Sequence, residues 1–563
     1  MATISRIVLL LLFIPFICSP FAVAQTASDK TTMPEVLVSD SSHQPTMAKQ
    51  MDNVLDFALH VTKMGKTDPH FAAGSQDRTF ADLVFNGLLR YVPGGAPKIE
   101  SDLAVGMPVL STVNGKQTWT VTLRKGVMFH SGPMTASYEL TADDVVFSFS
   151  KAADPGQSAY AGDYDGMTVK KRDQYTVEFV MEKPISSILF FPKITNYNGG
   201  FIVSKKAVEK MGYDSYLKHP VGTGPFMFKE HIPGVRLSLG AHTGYFRGKP
   251  ALDGVALHFV PDTEKRRAGL LDHTFDVIIG SGNQGFAETL LKNPGIAINP
   301  HGPGEVTTVY LNTSIPPMDD IRVRKAVTLA LNRDDFLQVY DENSAGPVFS
   351  PVPADFLPGG LTRDEVVKLG INFETNLVKA RSLLSEAGYP KGFNLALVGS
   401  EKRVYRACYR ILQEQLSRIG IECEVKILPH SEMHKTIRKN PRPIVIYTAW
   451  RPNADVFLTR FFHSNSILLT GEKPDTNFSN YGLIDQLIEG ARFEIDPEKQ
   501  VSLWQQAQIK LLSDHAAYPV MYAIMNTPRQ SYVDYGHPLK ASMALYPQFT
   551  ERTRLLKENA INE

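Results

Sequence analysis

Apolar and polar residues alternate in two stretches of the first third of the chain. The alternation covers residues 119–124 and again 175–179, with the two-residue period of half-buried antiparallel strands. Between them, Thr141 is followed three residues later by Asp144, a pairing that caps helix starts. Val145 then begins the apolar face of this helix. The pattern therefore predicts a strand, a helix and a strand, in this order.

The second half of the chain carries helices with well-marked ends. Asn376 is a helix cap, Gly388 supplies a left-handed exit, and Pro390 prevents continuation. The other elements that the periodicity predicts are a helix over 323–331, a helix over 404–418, a strand over 421–427, a strand over 444–447 and a long helix from Asp496. Because strands and helices alternate throughout, the chain is predicted to be a mixed α/β protein.

Length and charge narrow the classes of protein to be considered. The chain has 563 residues, far more than the ~100–200 of one ordinary domain. It carries 59 Lys and Arg residues against 58 Asp and Glu residues, so it has no large basic field to attract nucleic acid or anionic lipid. We therefore expect at least two lobes and no nucleic-acid partner.

The N-terminal segment has the anatomy of a signal peptide. Arg6 precedes an apolar stretch over 7–17, and Ala22-Val23-Ala24 offers a cleavage site. The apolar stretch is shorter than the ~20 residues that span a bilayer. A lipid anchor on Cys18 is disfavoured because the preceding Ile17 is large. The sequence predicts removal of residues 1–24 and a periplasmic protein.

Cleavage would leave two cysteines in an oxidising compartment. Cys408 lies on the apolar face of a predicted helix, and Cys423 alternates with acidic residues in a predicted strand. If the strand doubles back along the helix, the two residues lie more than ~10 Å apart, beyond the reach of a disulfide. Both are predicted to be buried thiols.

Several short phrases resemble the solute-binding proteins of peptide, nickel and related ABC importers. In chain order they are Asp68-Pro69-His70, Phe85-Asn86-Gly87-Leu88, the run 122–130, Leu140-Thr141-Ala142-Asp143-Asp144-Val145, Val221-Gly222-Thr223-Gly224-Pro225-Phe226, Arg247-Gly248-Lys249-Pro250, Asn312-Thr313 with Arg322-Val323-Arg324-Lys325-Ala326, and Glu386-Ala387-Gly388-Tyr389-Pro390. Each phrase is short, but their shared order covers most of the chain. The glycines and prolines in them mark turns and element ends, so they indicate the fold rather than the ligand.

The resemblance implies a periplasmic-binding-protein-like fold, with two α/β lobes, a hinge and an extra domain. By analogy the first lobe is discontinuous, the extra domain is inserted into it, and a signal peptide precedes both. The implied segments are 1–24 for the signal peptide, 26–73, 199–303 and 518–563 for the first lobe, 74–198 for the insert, and 304–517 for the second lobe. The protein is then expected to be a monomer without cofactor, resident metal or catalysis. It would hand a small polar solute, most simply a short peptide, to a membrane permease.

Two motifs hint at other chemistry. The run Gly280–Gly285 matches a dinucleotide fingerprint after an apparent strand over 275–279. The next strand, predicted over 296–299, ends without the carboxylate that would hold a ribose. We therefore interpret the run as a loop at a cleft wall, with Ser281 near the ligand. His430 and His434 have metal-ligand spacing, but no third ligand is evident nearby, and we interpret them as a solvated helix start.

The stretch that follows the strand over 444–447 is the most suggestive for recognition. Trp450, Arg451, Asn453 and Asp455 would face a cleft at the end of this strand. Peptide-binding relatives carry an acidic residue here for the ligand's amino terminus, whereas this chain has Arg451. The substitution predicts contact with an anionic group instead. Asp455 is expected to match a structural aspartate of the family.

The candidate ligand contacts are thus Trp450, Arg451, Asn453, Asp455, His70 and Ser281. Three ligand classes stay open: a short peptide, a metal chelate held by histidines such as His70 or His463, and an anionic sugar or opine-like compound. The alternative from another class is an exported hydrolase or oxidoreductase.

Overall fold

A computed structural model describes residues 37–38, 52–280, 286–340, 344–543 and 546–556. The strands are β1 (Leu37–Val38), β2 (Val54–Leu59), β3 (Leu89–Tyr91), β4 (Ile99–Ser101), β5 (Val109–Val113), β6 (Lys116–Thr122), β7 (Met167–Asp173), β8 (Thr176–Met181), β9 (Phe226–Ile232), β10 (Arg236–Ala241), β11 (Gly254–Phe259), β12 (Val277–Ile278), β13 (Ile296–Leu311), β14 (Ala345–Pro347), β15 (Phe393–Ser400), β16 (Ile421–Leu428), β17 (Ile444–Ala449), β18 (Ala517–Gln530), β19 (Val533–Asp534) and β20 (Arg554–Leu555).

The α-helices are α1 (Ser75–Val84), α2 (Ala142–Ala152), α3 (Ser187–Phe190), α4 (Lys205–Met211), α5 (Tyr213–Lys218), α6 (Thr263–Leu271), α7 (Phe286–Leu291), α8 (Ile321–Ala330), α9 (Arg333–Leu337), α10 (Arg363–Lys368), α11 (Leu377–Glu386), α12 (Arg403–Ser417), α13 (His430–Lys439), α14 (Ala454–Phe462), α15 (Asp485–Phe493) and α16 (Pro497–Ser513). Short 3-10 helices lie at Pro69–Phe71, Ala161–Tyr164, Phe191–Ile194, Asn198–Gly200 and Ser464–Ser466. No helix in the described part of the chain is long and apolar enough to cross a membrane.

In the described residues, a ten-stranded sheet runs through the molecule. Its strands lie in the order β1-β13-β18-β12-β2-β11-β10-β9, with β14 added at β18 and β17 added at β13. The two longest strands, β13 and β18, pair antiparallel from Ile296 opposite Gln530 to Tyr310 opposite Ala517. They connect the two halves of the sheet.

The buried side chains form two main hydrophobic clusters. One is built from residues within 306–524, with Ala541 added. The other combines residues within 55–279 and 533–549. Strand β18 passes from the first cluster to the second, against which Met525 packs, while the start of β13 contributes Ile296 and Ile298 to a small third cluster. The molecule therefore has the two-lobed α/β architecture that the sequence predicts.

The segment predicted as an inserted domain is built on the four-stranded sheet β5-β6-β8-β7. Trp119 of β6 stacks on Phe190 with 4.9 Å between ring centroids. Phe149 of α2 packs edge-on against Phe179 at 5.0 Å. These side chains belong to the same cluster as Val255 of β11, so the segment shares one continuous core with the first lobe.

The local patterns that predicted this segment are confirmed. Strands β6 and β8 pair antiparallel, with Trp119 opposite Phe179. At the start of α2, the backbone N–H of Thr141 donates to Asp144 at 3.1 Å, which is half of the predicted capping box.

The predicted second-lobe elements are also present. Asn376 caps α11 by accepting from the N–H of Lys379 at 2.9 Å, and Gly388 leaves the helix at φ +94°. Strands β15 and β16 are paired in parallel, and the helix α12 connects them. The two cysteines of this unit are free, and burial raises the pKa of each thiol to about 12.

The strand predicted over 296–299 is wrong in its end, because β13 continues through Pro300 to Leu311. Pro300 pairs with Asn526 of β18 on one side. On its other side, β1 covers only Ala297 and Ile298, and β17 begins only at Val306. Between those two neighbours β13 is locally an edge, where a residue without an N–H is tolerated. The apparent strand over 275–279 is shorter than predicted and is reduced to β12.

Candidate ligand site between the two lobes

The loop between β17 and α14 lies where the two lobes face each other. Strand β17 pairs with β13 up to Ala449 opposite Val306. Helix α14 then begins under the cap of Asn453, whose side chain accepts from the N–H of Val456 at 2.9 Å. Trp450 and Arg451 are therefore held between a strand end and a capped helix start, both of which fix the backbone.

Trp450 contacts the opposite lobe. Its ring lies edge-on to Tyr197, with 6.3 Å between centroids. Tyr197 in turn contacts Tyr91 edge-on at 6.2 Å, and the guanidinium of Arg78 lies 4.9 Å from the Tyr197 ring. Met543 completes this small aromatic cluster. A residue of the second lobe thus packs against side chains of the first lobe and its insert.

Arg451 is half-buried, and among the described residues no carboxylate pairs with it. One terminal nitrogen donates to the carbonyl of Trp450 at 2.8 Å, and the guanidinium lies 4.8 Å from the ring of Phe461. Asp475, whose charge acts on Arg451, pairs with Arg460 at 3.0 Å. Burial without a counterion lowers the pKa of Arg451, the direction expected for a cation deprived of water.

Unused hydrogen-bonding atoms collect around this loop. Trp450 Nε1 and Arg451 Nε are buried donors without a partner in the described part of the chain. Asn198 Oδ1, next in sequence to Tyr197, is also buried without a partner there, and Asn198 adopts φ +52°. Buried polar groups are normally satisfied, so unsatisfied atoms of two lobes near one contact indicate a place for a ligand.

Asp455 is occupied by the protein. Its carboxylate accepts from Arg492 Nε at 3.2 and 3.3 Å, and Arg492 also donates to Thr459 at 2.6 Å. Burial raises the pKa of Asp455, and Arg492 opposes the rise. The pair ties α14 to α15, which is the structural role expected for this aspartate.

Across the interface, Lys193 of the insert faces the same acid. Its ammonium donates to the carbonyl of Asp163. Burial lowers the pKa of Lys193, while the charges of Asp163 and Asp455 raise it. A cation of one lobe therefore lies in the field of an anion of the other.

The connection between the lobes contains one irregular point. The pairing of β13 with β18 shifts register between His301 and Glu305. Two of the residues in this segment, Gly302 and Gly304, are glycines. Gly304 has φ +75°, and a Cβ built on it would lie 2.5 Å from the ring of Phe356. Neither the backbone angle nor the space admits another residue without strain.

A family model describing bacterial extracellular solute-binding proteins of family 5 matches residues 98–468. The chain belongs to this family. The dipeptide-binding protein of Escherichia coli K12 is 27% identical over 478 residues, 78% of this chain and 83% of that protein. Heme-binding protein A of Haemophilus influenzae is 24% identical and covers 87% of this chain and 90% of its own. Among solved structures, the binding protein MoaA of A. tumefaciens R10, in complex with mannopinic acid, is 32% identical with a TM-score of 0.68, over 89% of this chain and 99% of that one.

Membership of this solute-binding family assigns the molecule to ABC import. The protein is the substrate-binding component that cooperates with an ABC permease, and the relatives are binding proteins rather than enzymes. The loop at Trp450 and Arg451, which contacts Tyr197 across the two lobes, is the candidate site for the solute, and its unsatisfied donors are candidate contacts.

His70, predicted as a ligand contact, is placed inside the first lobe of this solute-binding protein. It is wholly buried. Its Nε2 lies 2.9 Å from the carbonyl of Phe201, and its Nδ1 lies 3.3 Å from the ammonium of Lys151. A carbonyl only accepts and an ammonium only donates, so both ring nitrogens are engaged. Burial and Lys151 lower the pKa of His70 to about 4, which keeps it neutral.

The remaining predicted contacts are placed as follows. Ser281 and the signal peptide lie outside the described residues. Within its own lobe, His463 donates through Nε2 to the carboxylate of Glu489 at 3.2 Å and accepts at Nδ1 from the N–H of Asn465 at 3.1 Å. Within the described residues no group of three or more metal-ligating side chains is present. His430 and His434 form a hydrogen bond with each other, with 3.0 Å between their Nε2 atoms.

Sequence reasoning missed Tyr197 and Asn198. Their only local signal is the turn-forming run Asn198-Gly199-Gly200, which predicts a bend and not a cleft. Their relation to Trp450 depends on how the insert docks on the second lobe.

Proposed function

We propose that the protein captures a small carboxylate-bearing solute, a short peptide or peptide-like compound, between its lobes and delivers it to its permease. The observation that carries this proposal is the half-buried guanidinium of Arg451, which has no anionic partner in the described part of the chain. The loop of Trp450 and Arg451 would bind one end of the solute, and the aromatic cluster around Tyr197 would exclude water.

Energetics favours an anion at this point. A buried cation without a counterion is destabilising, because its hydration is lost and not replaced. A carboxylate of the solute would accept from the planar guanidinium, for which its geometry is suited. Trp450 Nε1 would supply a further donor beside it. The free energy of burying Arg451 would then be recovered only in the complex.

The lobes would close on a hinge at the irregular point of β13. We place the division of the first and second lobes near residue 304, where the register shift and Gly304 lie, and near residue 517 on β18. The contact of Trp450 with Tyr197 and the field of Asp455 at Lys193 would favour the closed arrangement. Closure then buries the solute under contacts from both lobes.

An opine-like acid is the second candidate ligand. The observation that favours it is the 32% identity to a binding protein solved with mannopinic acid. Such an acid shares the carboxylate that Arg451 would bind, so the two candidates differ in the remainder of the molecule and not in this contact.

The setting of the function is part of the proposal. We infer cleavage after Ala24 and release into the periplasm as a monomer without catalysis or nucleic-acid binding, on the residues Arg6 and Ala22-Val23-Ala24 and on the nearly balanced charge. Sequencing the mature N-terminus is expected to give Gln25, and an intact Met1 would refute the cleavage.

Native mass spectrometry of the protein purified without refolding tests the ligand class. Closed binding proteins can retain their solute, so a mass increment is expected, and fragmentation of the released molecule is expected to show a carboxylic acid. A retained solute without any anionic group would contradict the role of Arg451. Conversion of the solute to a chemically different product would contradict the assignment as a pure binding protein.

A further inference from the structure

A polar cavity lies between the first lobe and its insert, away from Trp450 and Arg451. Its volume is about 440 Å³, and its wall is formed by Arg90, Glu100, Arg124, Phe246, Arg247, Glu551 and Arg552. Arg90 precedes Tyr91 on β3, and successive side chains of a strand point to opposite faces. Because Tyr91 belongs to the aromatic cluster at the interlobe contact, β3 separates this cavity from the cleft.

Three of the four arginines are anchored through the inner nitrogen of the guanidinium. Arg90 Nε donates to Glu100 at 2.7 Å, Arg124 Nε donates to the carbonyl of Asp102 at 2.7 Å, and Arg247 Nε donates to the carboxylate of Asp102 at 2.9 Å. Arg247 also donates through one terminal nitrogen to the carbonyl of Ser101 at 2.6 Å. The anchors fix the guanidinium planes and leave the other terminal nitrogen of Arg247 and the terminal nitrogens of Arg90 and Arg124 for a ligand. Terminal guanidinium nitrogens bind carboxylates well, since they present parallel donors.

One acceptor in the wall is not satisfied. The side chain of Glu551 is only 10% exposed, and its Oε1 lies 3.8 Å from Arg552 Nε. Its Oε2 is buried and has no hydrogen-bond partner among the described residues. An unpaired buried carboxylate oxygen is costly, and in a cavity wall it indicates a ligand that brings a donor or a positive charge.

The charges around the cavity identify the class of ligand. Four guanidinium groups face the two carboxylates of Glu100 and Glu551, and buried Asp102 adds a third carboxylate beneath them. The net surplus is one positive charge. A ligand with two carboxylates and one ammonium carries one net negative charge and offers both kinds of group that the wall requires.

We propose that this cavity is a second binding site, which takes an acidic amino acid. The carboxylates of the amino acid are held by the terminal nitrogens of Arg90, Arg124 and Arg247, with Arg552 at the rim, and the ammonium group donates to Glu551. This site is independent of the solute cleft and does not depend on the ligand that the cleft binds.

Calorimetric titration with two probes tests the proposal. L-glutamate carries the ammonium group, and glutarate is the same dicarboxylate without it. We expect saturable binding of L-glutamate and binding of glutarate about 10-fold weaker or more, by analogy with charged groups that lose a buried partner. Absence of saturable binding of L-glutamate, or equal affinity for both probes, would overturn the assignment.

Variants locate the binding. Arg552→Gln changes a side chain that is 56% exposed, so folding is retained, and we expect L-glutamate to bind about 5- to 10-fold more weakly. Glu551→Gln is expected to reduce the preference for L-glutamate over glutarate. Arg236→Gln, which alters an exposed ion pair with Glu230, is the matched control and should leave both affinities unchanged. If Arg451→Ala abolishes L-glutamate binding and Arg552→Gln does not, the probe occupies the cleft and the proposed site is refuted.

Discussion

Two cations of the molecule, the buried Lys151 and the half-buried Arg451, have opposite surroundings. Where the first lobe meets its insert, Lys151 lies 2.7 Å from Asp68, with side-chain exposures of 2% and 0%. Tyr213 donates to the same carboxylate at 2.6 Å, and the lysine also donates to the carbonyl of Gln157 at 2.9 Å. Burial raises the pKa of the Asp68 carboxyl, but Lys151, His70 and Tyr213 together lower it below its ordinary value. In the second lobe Arg451 contacts an aromatic ring and a carbonyl, and no carboxylate pairs with it among the described residues.

The difference separates structural charge from functional charge. A buried ion pair whose hydrogen bonds are all made fixes the local structure. Removing one partner leaves the charge of the other buried and without a counterion. Arg451 keeps only a carbonyl and an aromatic ring and has no anionic partner in the described part of the chain. This difference is the basis for proposing that Arg451 contacts the solute.

The largest effect is expected from breaking the satisfied pair. Lys151→Met leaves Asp68 buried without a cation and should lower the free energy of unfolding by about 3–5 kcal/mol, measured by denaturant or thermal unfolding. The matched control is Lys171→Met, which breaks the exposed pair with Asp143, where the side chains are 41% and 52% exposed. That change should cost only about 0–1 kcal/mol. Equal losses in the two variants would remove the distinction between the buried and the exposed pair.

Removing the unpaired cation should affect binding and leave stability nearly unchanged. Arg451→Ala is expected to weaken binding of the retained solute by about 2–5 kcal/mol, or roughly 30-fold or more in Kd, because the anion of the solute is left buried and unpaired. Arg451→Lys should recover part of the loss, since it keeps the charge but loses the planar donors. The measurement is calorimetric titration together with thermal melts.

A paired arginine of the same region is the control for this prediction. Arg492→Ala removes the partner of Asp455 and is expected to lower the melting temperature while the charge preference of the site is kept. Affinities that do not differ between wild type and Arg451→Ala would place Arg451 outside the site.

Acid should destabilise the satisfied cluster through His70. A histidine in the unfolded chain ionises near pH 6.5, whereas His70 stays neutral until about pH 4. Between these values the unfolded state binds more protons, so the free energy of unfolding is highest above pH 6.5 and falls as the pH drops towards 4. The expected loss is roughly 2–3 kcal/mol. The free energy of unfolding, measured by denaturant unfolding across this pH range, should depend less steeply on pH in His70→Gln than in the wild type. Identical pH dependences in the two proteins would refute the linkage.

The smallest effect is expected from the contact across the cleft. Tyr197→Leu removes the edge-on contact with Trp450 and should weaken solute binding by about 0.5–1.5 kcal/mol, the value of an aromatic pair. The preference for an anionic solute should not change. Tyr389→Leu is the control, since Tyr389 forms an edge-on pair with Phe393 at 5.1 Å within the second lobe and should affect stability only. An equal loss of affinity in this control would show that the contact of Tyr197 with Trp450 does not contribute specifically to solute binding.

Some of the site could be predicted from the sequence. Trp450 and Arg451 could be proposed because they follow a strand that the periodicity predicts, and residues at strand ends tend to face clefts. His70 was misplaced because the motif Asp68-Pro69-His70 gives no sign that Lys151 contacts it. Lys151 lies 81 residues further along the chain. Tyr197 and Asn198 could not be found, since their proximity to Trp450 joins segments of different lobes.

The sequence by itself determined where elements begin and end, because caps and left-handed glycines act within a few residues. Asn376 caps α11 and Gly388 ends it as the local pattern predicts. Tertiary structure alone decided that β13 continues through Pro300, because a proline is tolerated only where neighbouring strands leave an edge. It also decided which charges are satisfied. Lys151 and Arg451 are both basic residues in the sequence, and only burial and the identity of distant neighbours make one a structural ion and the other a candidate ligand contact.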